Sequence, residues 1–137
     1  MIDRSLFGPE HVKKYVETDG EVGYLWNGAP TLILTTTGRT SGNESSTPLI
    51  FGEDGDSQVL VASRGGAPQH PAWYLNLEAN PEVGVQVKAD KFRARARTAE
   101  GEERERLWKA MNEIWPHYDE YQTKTDRQIP VVVLERT

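Results

Sequence analysis

The chain has 137 residues, no cysteine and a formal net charge of −5, which suits one ordinary domain and excludes disulfides, thiolate nucleophiles and cysteine-held metal or iron–sulfur sites. An acidic balance argues against a general nucleic-acid binder, because such affinity rests on neutralising phosphates. Neither a secretory leader nor a run approaching the roughly 20 apolar residues of a membrane span is found, so a cytoplasmic chain is expected.

Residues 1–30 read as a lead-in and pocket cover, ahead of a barrel over residues 31–137. Pro9 suits the first turn of a short helix with Val12, Tyr15 and Val16 on one side, and Asp19-Gly20 ends it. Thr31 to Thr37 is rich in β-branched residues and predicts a buried strand. A tight connection, Gly38 to Asn43, leads to a strand over Thr47 to Phe51, which Pro48 marks as an edge or bulged strand. Asp54-Gly55-Asp56 signals a hairpin turn into a strand over Gln58 to Ser63. Gly65 to Pro68 breaks the sheet, and Pro71 opens a helix that runs to Asn80.

Val83, Val85 and Val87 alternate with polar residues, as in a half-buried strand. Phe92, Ala94 and Ala96 continue that pattern after a turn at Asp90, with Lys91, Arg93, Arg95 and Arg97 on the opposite face. That basic face suits either a polyanion or a salted outer surface, and the glutamates at 102, 103 and 105 favour the latter. Residues 100–115 carry a helical stripe of Leu107, Met111 and Ile114. After Pro116, Tyr118 and Tyr121 fall on a further short helix running to about Thr125, and Pro130 to Leu134 is a last strand. About six strands with single intervening helices and no regular βαβ repeat predict the α+β class. The natural solution is a small antiparallel barrel with helices packed around it.

Chemistry concentrates between Thr35 and Asn76. Gly38-Arg39-Thr40-Ser41-Gly42 and Ser63-Arg64-Gly65-Gly66 each end a strand and combine hydroxyls, paired glycines and a guanidinium, a donor set suited to phosphate or carboxylate. Taken singly, each is also an ordinary strand connection. Neither matches a dinucleotide or P-loop fingerprint. In His70-Pro71-Ala72-Trp73-Tyr74-Leu75-Asn76, a helix start could favour an anion, Trp73 is expected to face the core with Leu77, and Asn76 could contact a ligand. His11, His70 and His117 lack metal spacing, and Ser63 lacks an evident relay, so no metal site and no hydrolase are expected. Trp115, Tyr118 and Tyr121 recur every three residues on a polar segment, which suits a lid over a planar ligand as well as core packing.

Taken in order, Leu34 to Gly42, Thr47-Pro48-Leu49, Val61 to Pro68, His70 to Leu77, Ala79-Asn80-Pro81, Trp115 to Gln122, Thr125-Asp126-Arg127 and Ile129-Pro130-Val131 resemble the deazaflavin (coenzyme F420)-dependent nitroreductase family. The likeness spans roughly residues 30–136. It implies a split β-barrel related to the flavin-mononucleotide-binding barrels, with F420 as cofactor. By motif, Arg39, Thr40, Ser41 and Gly42 would meet the cofactor backbone or phosphate region. Ser63, Arg64, Gly65 and Gly66 would line its ring and phosphate side, and Trp73 and Asn76 would contact or support the same site. Several members carry a lysine where this chain has Arg64. On the substrate side, Trp115 stands where the nitroimidazole-reducing member has tyrosine, while Tyr118 and Tyr121 match tyrosines there.

The resemblance implies hydride transfer from the reduced deazaflavin to a small conjugated acceptor, such as a quinone, an enone or a nitroaromatic. Tyr118, then Tyr121, would serve the developing oxygen charge. A homodimer and a peripheral membrane contact for a lipophilic quinone stay open. So do an F420 carrier without fast turnover, a flavin-mononucleotide enzyme, and a barrel binding polyanions through Lys91 to Arg97.

Overall fold

The computed structural model describes residues 8–137, so the first seven residues of the expected lead-in lie outside the described residues. Helix α1 spans Pro9–Glu17 with proline in its first turn, where the missing N–H costs nothing. Its buried residues are His11 and Tyr15, whereas Val16 is 41% exposed. The expected apolar stripe of Val12, Tyr15 and Val16 is therefore corrected to an i, i+4 pair. The reason is polar: the Tyr15 hydroxyl donates to the Thr31 carbonyl at 3.0 Å and accepts from the Lys88 amide at 2.7 Å. Burial raises the pKa of that phenol above its ordinary value, keeping it protonated for both bonds.

Strand β1 (Leu25–Trp26) pairs with β2 (Ala29–Thr37) across Asn27-Gly28. Both turn residues have positive φ, 50° and 82°, as a primed two-residue hairpin turn requires. Part of the segment read as a lead-in is thus sheet. Next come β3 (Glu44–Ile50), β4 (Gly52–Asp54) and β5 (Ser57–Val61), then a left-handed turn at Arg64–Gly66 and helix α2 (Ala72–Ala79). Strands β6 (Glu82–Val87) and β7 (Asp90–Thr98) form a second hairpin. Helices α3 (Gly101–Ile114) and α4 (His117–Gln122) precede β8 (Val131–Arg136).

All pairings are antiparallel, in the order β1-β2-β6-β7-β8-β5-β4, with β3 on the other side of β2. Only Phe51 separates β3 from β4. One bent stretch of chain therefore pairs with β2 through its first half and with β5 through its second, curling the sheet into a split barrel. Eight hydrogen-bonded strands replace the expected six, because that stretch counts twice and β1 is added. Pro48 sits on β3, whose only strand partner among the described residues is β2, in keeping with an edge.

Period-two alternation sorts the strand residues into two cores. Leu32, Leu34, Leu60, Val83, Val85, Ala94, Ala96, Val132 and Leu134 fill the barrel with Phe51, Tyr74 and Leu77. Val59, Val61, Val131 and Val133 point outward, where Leu107 and Met111 of α3 and Tyr118 of α4 cover them. Each such buried aliphatic side chain contributes about 1.5–3 kcal/mol. The second core holds the aromatic helix α4 against the barrel wall, close to the β5 end. On the outer face of β7, Arg95 pairs with Glu82 at 2.8 Å, and Arg97 pairs with Glu103 and Glu135. These two arginines lie on a salted surface. Among the described residues, no helix is long and apolar enough to cross a membrane.

Candidate active site

A cleft of about 490 Å³ opens where the ends of β3 and β5 meet α1, α2 and α4. Its floor is Thr47, Pro48, Leu49, Ile50 and Val61, and Ser63, Arg64 and Gly65 form one lip. Trp73 stands on the α2 side, and Trp115, Tyr118 and Tyr121 on the other. Sequence-expected residues from both ends of the chain thus meet in one cavity. Trp73, expected to face the core, packs against the barrel core only in part and also lines the cleft.

The far wall is an aromatic cluster. Trp115 lies 5.5 Å from Trp26 and 4.8 Å from His117, ring centre to ring centre. His117 stacks on Tyr121 at 6.2 Å, and Tyr121 meets Tyr118 edge to face at 6.2 Å. The indole N–H of Trp115 donates to the Tyr121 hydroxyl at 3.4 Å, which engages a lone pair of that oxygen and leaves its O–H to point elsewhere. Tyr118 is 4% exposed and lines the cleft, and among the described residues its hydroxyl makes no hydrogen bond. Burial, with a smaller contribution from Tyr121, pushes its pKa well above the ordinary phenol value. The group is therefore a proton-bearing donor across the physiological range.

Beyond Arg64 and Pro71, which line both cavities, the cleft passes into a shallower groove of about 750 Å³. Arg39, Arg64, Arg127 and His70 line it. No carboxylate pairs with any of these arginines among the described residues. Their partners are neutral. Arg64 Nη1 reaches Gln69 Oε1 at 3.4 Å, and Arg39 gives its amide and Nη1 to Asn76 Oδ1 at 3.2 and 2.9 Å.

Asn76 is buried, and its Nδ2 donates to Thr36 Oγ1 at 3.2 Å. Its amide is thus occupied by protein and lines neither cavity, so it positions the Arg39 turn. Thr40, Ser41 and Gly42 lie exposed in that turn and line neither cavity. Ser41 Oγ accepts from the Asn43 amide at 3.1 Å, closing the turn on itself. Gly66 is buried with φ 84°, and a Cβ there would sit 2.6 Å from the Tyr121 carbonyl oxygen. Its glycine lets α4 lie against the turn.

A family model described as F420H(2)-dependent quinone reductase matches residues 8–136. The chain belongs to that family. By that membership it is an F420-dependent reductase, and the resemblance read from the motifs holds. An F420H(2)-dependent quinone reductase of Mycobacterium tuberculosis is 41% identical over 130 residues, covering 92% of this chain and 87% of the relative. A solved F420-H2 dependent reductase (FDR-A) is 48% identical with a TM-score of 0.72, covering 77% of this chain and 94% of that one. A second solved relative, described as a domain-swapped dimer, is 44% identical with a TM-score of 0.75, covering 92% of this chain and 95% of that one.

Two residues of the site, His11 and Arg127, escaped sequence reasoning, while Trp26 was expected only as part of the pocket cover over residues 1–30. His11, noted only as an isolated histidine, lines the cleft, and its Nε2 lies 2.8 Å from the Gly23 carbonyl oxygen. Trp26 reaches the cleft because the Asn27-Gly28 hairpin folds β1 onto β2. That dipeptide was the available signal. Tyr24, by contrast, turns to Phe51 and lies under Lys88 Nζ at 4.4 Å. Arg127 fell within a motif but had no role, and nothing local to its sequence reveals the loop it binds.

Proposed function

We propose that the chain transfers a hydride from reduced F420 to a conjugated acceptor such as a quinone, an enone or a nitroaromatic. The observation that carries this reading is the shared boundary of two unlike cavities: an aromatic cleft runs at Arg64 and Pro71 into a groove of arginines without acidic partners. A planar ring attached to an anionic tail matches that sequence of surfaces. The residues present fit such a cofactor, since charges left without internal partners favour an anion.

When bound, reduced F420 supplies the hydride. Arg39 and Arg64 would hold its anionic part, with Thr40, Ser41 and Gly42 at the rim. Ser63 and Gly65 would face its ring side, while Gly66 and Asn76 act through the loops they support. Trp73, Trp26 and Trp115 confine planar groups and exclude water, which strengthens every polar contact inside. Tyr118 offers a proton-bearing hydroxyl to an acceptor oxygen that gains negative charge, and Tyr121 is the second donor. Trp115, bulkier than a phenol, narrows the acceptor side and favours flat rings over bulky prodrugs.

The test is fluorescence titration of F420, followed by oxidation of the reduced cofactor across quinone, enone and nitroaromatic acceptors. Binding and turnover are expected on at least the quinones. Binding without oxidation of any acceptor would make the chain a carrier, and binding of flavin mononucleotide in place of F420 would remove the cofactor assignment. Tyr118→Phe should lower kcat by about 10²-fold, the lower range for a positioned proton donor, with cofactor affinity retained. An unchanged kcat would take Tyr118 out of the chemistry.

A further inference from the structure

The turn between β5 and α2 bears an unusual load. Arg64, Gly65 and Gly66 have φ of 48°, 63° and 84°, so an arginine stands in the left-handed region where glycine is at home. Such a backbone persists only where its surroundings over-determine it. One side chain does this. Arg127 Nε donates to the Ala67 carbonyl at 2.9 Å, Nη2 to the Ser63 carbonyl at 2.7 Å, and Nη1 to the Ala62 carbonyl at 3.3 Å. A single planar fork therefore pins the chain on both sides of the turn that carries Arg64.

The remaining bond of the fork joins Arg127 Nη1 and His70 Nδ1 at 3.0 Å. A guanidinium has only hydrogens to give, so Nδ1 accepts and the ring hydrogen resides on Nε2. Nε2 makes no hydrogen bond among the described residues, and His70 lines the groove with Arg39 and Arg64. Four of the five guanidinium N–H bonds of Arg127 are thus spent on protein, whereas His70 keeps one donor.

We propose that Arg127 is a positioning residue that fixes the Arg64 turn and holds His70 as the Nε2–H tautomer, so that His70 serves the groove as a donor to the cofactor's anionic part. The binding half of this proposal rests on the F420 reading. The tautomer half does not.

Two measurements decide it. Long-range ¹⁵N–¹H spectra of the ligand-free protein at about pH 8, above the ordinary imidazole range, should give His70 an unprotonated Nδ1 and a protonated Nε2. Arg127→Lys, which cannot span three carbonyls and the imidazole, should return a mixture of tautomers. In F420 titrations, Arg127→Lys and His70→Ala should each raise Kd about tenfold, the scale of one charge-assisted or well-placed hydrogen bond. His70→Gln, which keeps an N–H near the Nε2 position, should restore most of the affinity.

A wild-type His70 protonated on Nδ1 overturns the proposal. So does a folded Arg127→Lys that binds F420 as wild type does, or a His70→Gln no better than His70→Ala. Should Arg127→Lys fail to fold, the wild-type spectrum and the two His70 variants still decide. Wild-type protein that fails to bind F420 would sink the cofactor reading and the donor role, and the spectra would still judge the tautomer.

Discussion

Two sets of arginines, one on the outer face of β7 and one in the groove beside α2, carry the same charge and do opposite things with it. Arg95 and Arg97 are matched by Glu82, Glu103 and Glu135, so their field is spent on the protein's own surface. Among the described residues, Arg39, Arg64 and Arg127 are held by an asparagine, a glutamine, a histidine and carbonyl oxygens, none of which cancels a charge. Four basic residues alternating along a strand are easier to see in a sequence than three scattered through turns. The scattered set nevertheless has charge left to offer, where Arg95 and Arg97 have spent theirs. Where the counter-charges lie matters more than how many cations cluster.

The largest test of that contrast removes both pairs. Arg39→Ala with Arg64→Ala should raise the Kd for F420 by about 10²–10⁴-fold, if each lost charge-assisted bond is worth roughly 1.5–3 kcal/mol. Arg95→Ala with Arg97→Ala should leave it within about threefold, as expected of exposed, paired charges. Equal losses in the two double variants would erase the distinction.

A smaller effect follows from the glycine that seats α4 on the Arg64 turn. Gly66→Ala forces a Cβ towards the Tyr121 carbonyl at a positive φ and should cost about 1–3 kcal/mol in stability. Chemical denaturation would measure this, and a neutral result would mean that α4 and the turn separate freely. Asn76→Ala should cost about 1 kcal/mol or more and loosen the Arg39 turn, raising Kd in titration while leaving kcat unchanged.

The smallest prediction concerns acid. Arg97 holds the Glu103 carboxyl below its ordinary range, chiefly through their hydrogen bond. A carboxyl depressed in the folded state contributes stability that is present above its unfolded value and is lost as pH falls through the lowered one. Arg97→Ala should therefore differ from wild type in thermal unfolding near neutrality and converge with it in acid. Arg64→Ala, which removes no carboxylate partner, should track the wild-type acid limb in parallel.

The strands and helices after Thr31 were legible because their signals are local. Alternation marked β6 and β7, β-branching marked β2, and prolines bounded α2. Ser63, Arg64, Gly65, Trp73, Trp115, Tyr118 and Tyr121 were legible from motifs, and they line one cleft. Less visible were the effects of long-range polar geometry. The offices of Asn76, towards Arg39 and Thr36, depend on partners 37 and 40 residues away. The turn that Arg127 pins lies 60 residues or more earlier in the chain. Tyr15 took the place of a valine stripe because its hydroxyl meets Lys88, 73 residues on. Asn27-Gly28 is different: its hairpin signal was local, yet it lay inside the segment read as a lead-in.

Strand β8 lies between β7 and β5, so it is the rung through which the β2-β6-β7 half and the β4-β5 half of the ladder are joined. In chain order it follows both of the halves it joins. Until Val131–Arg136 emerges, the nascent protein has the Arg64 turn at the end of β5 with no paired neighbour for that strand on its β8 side. Synthesis therefore imposes an order: the two halves of the ladder wait for β8, and a chain stalled before it would hold them unjoined.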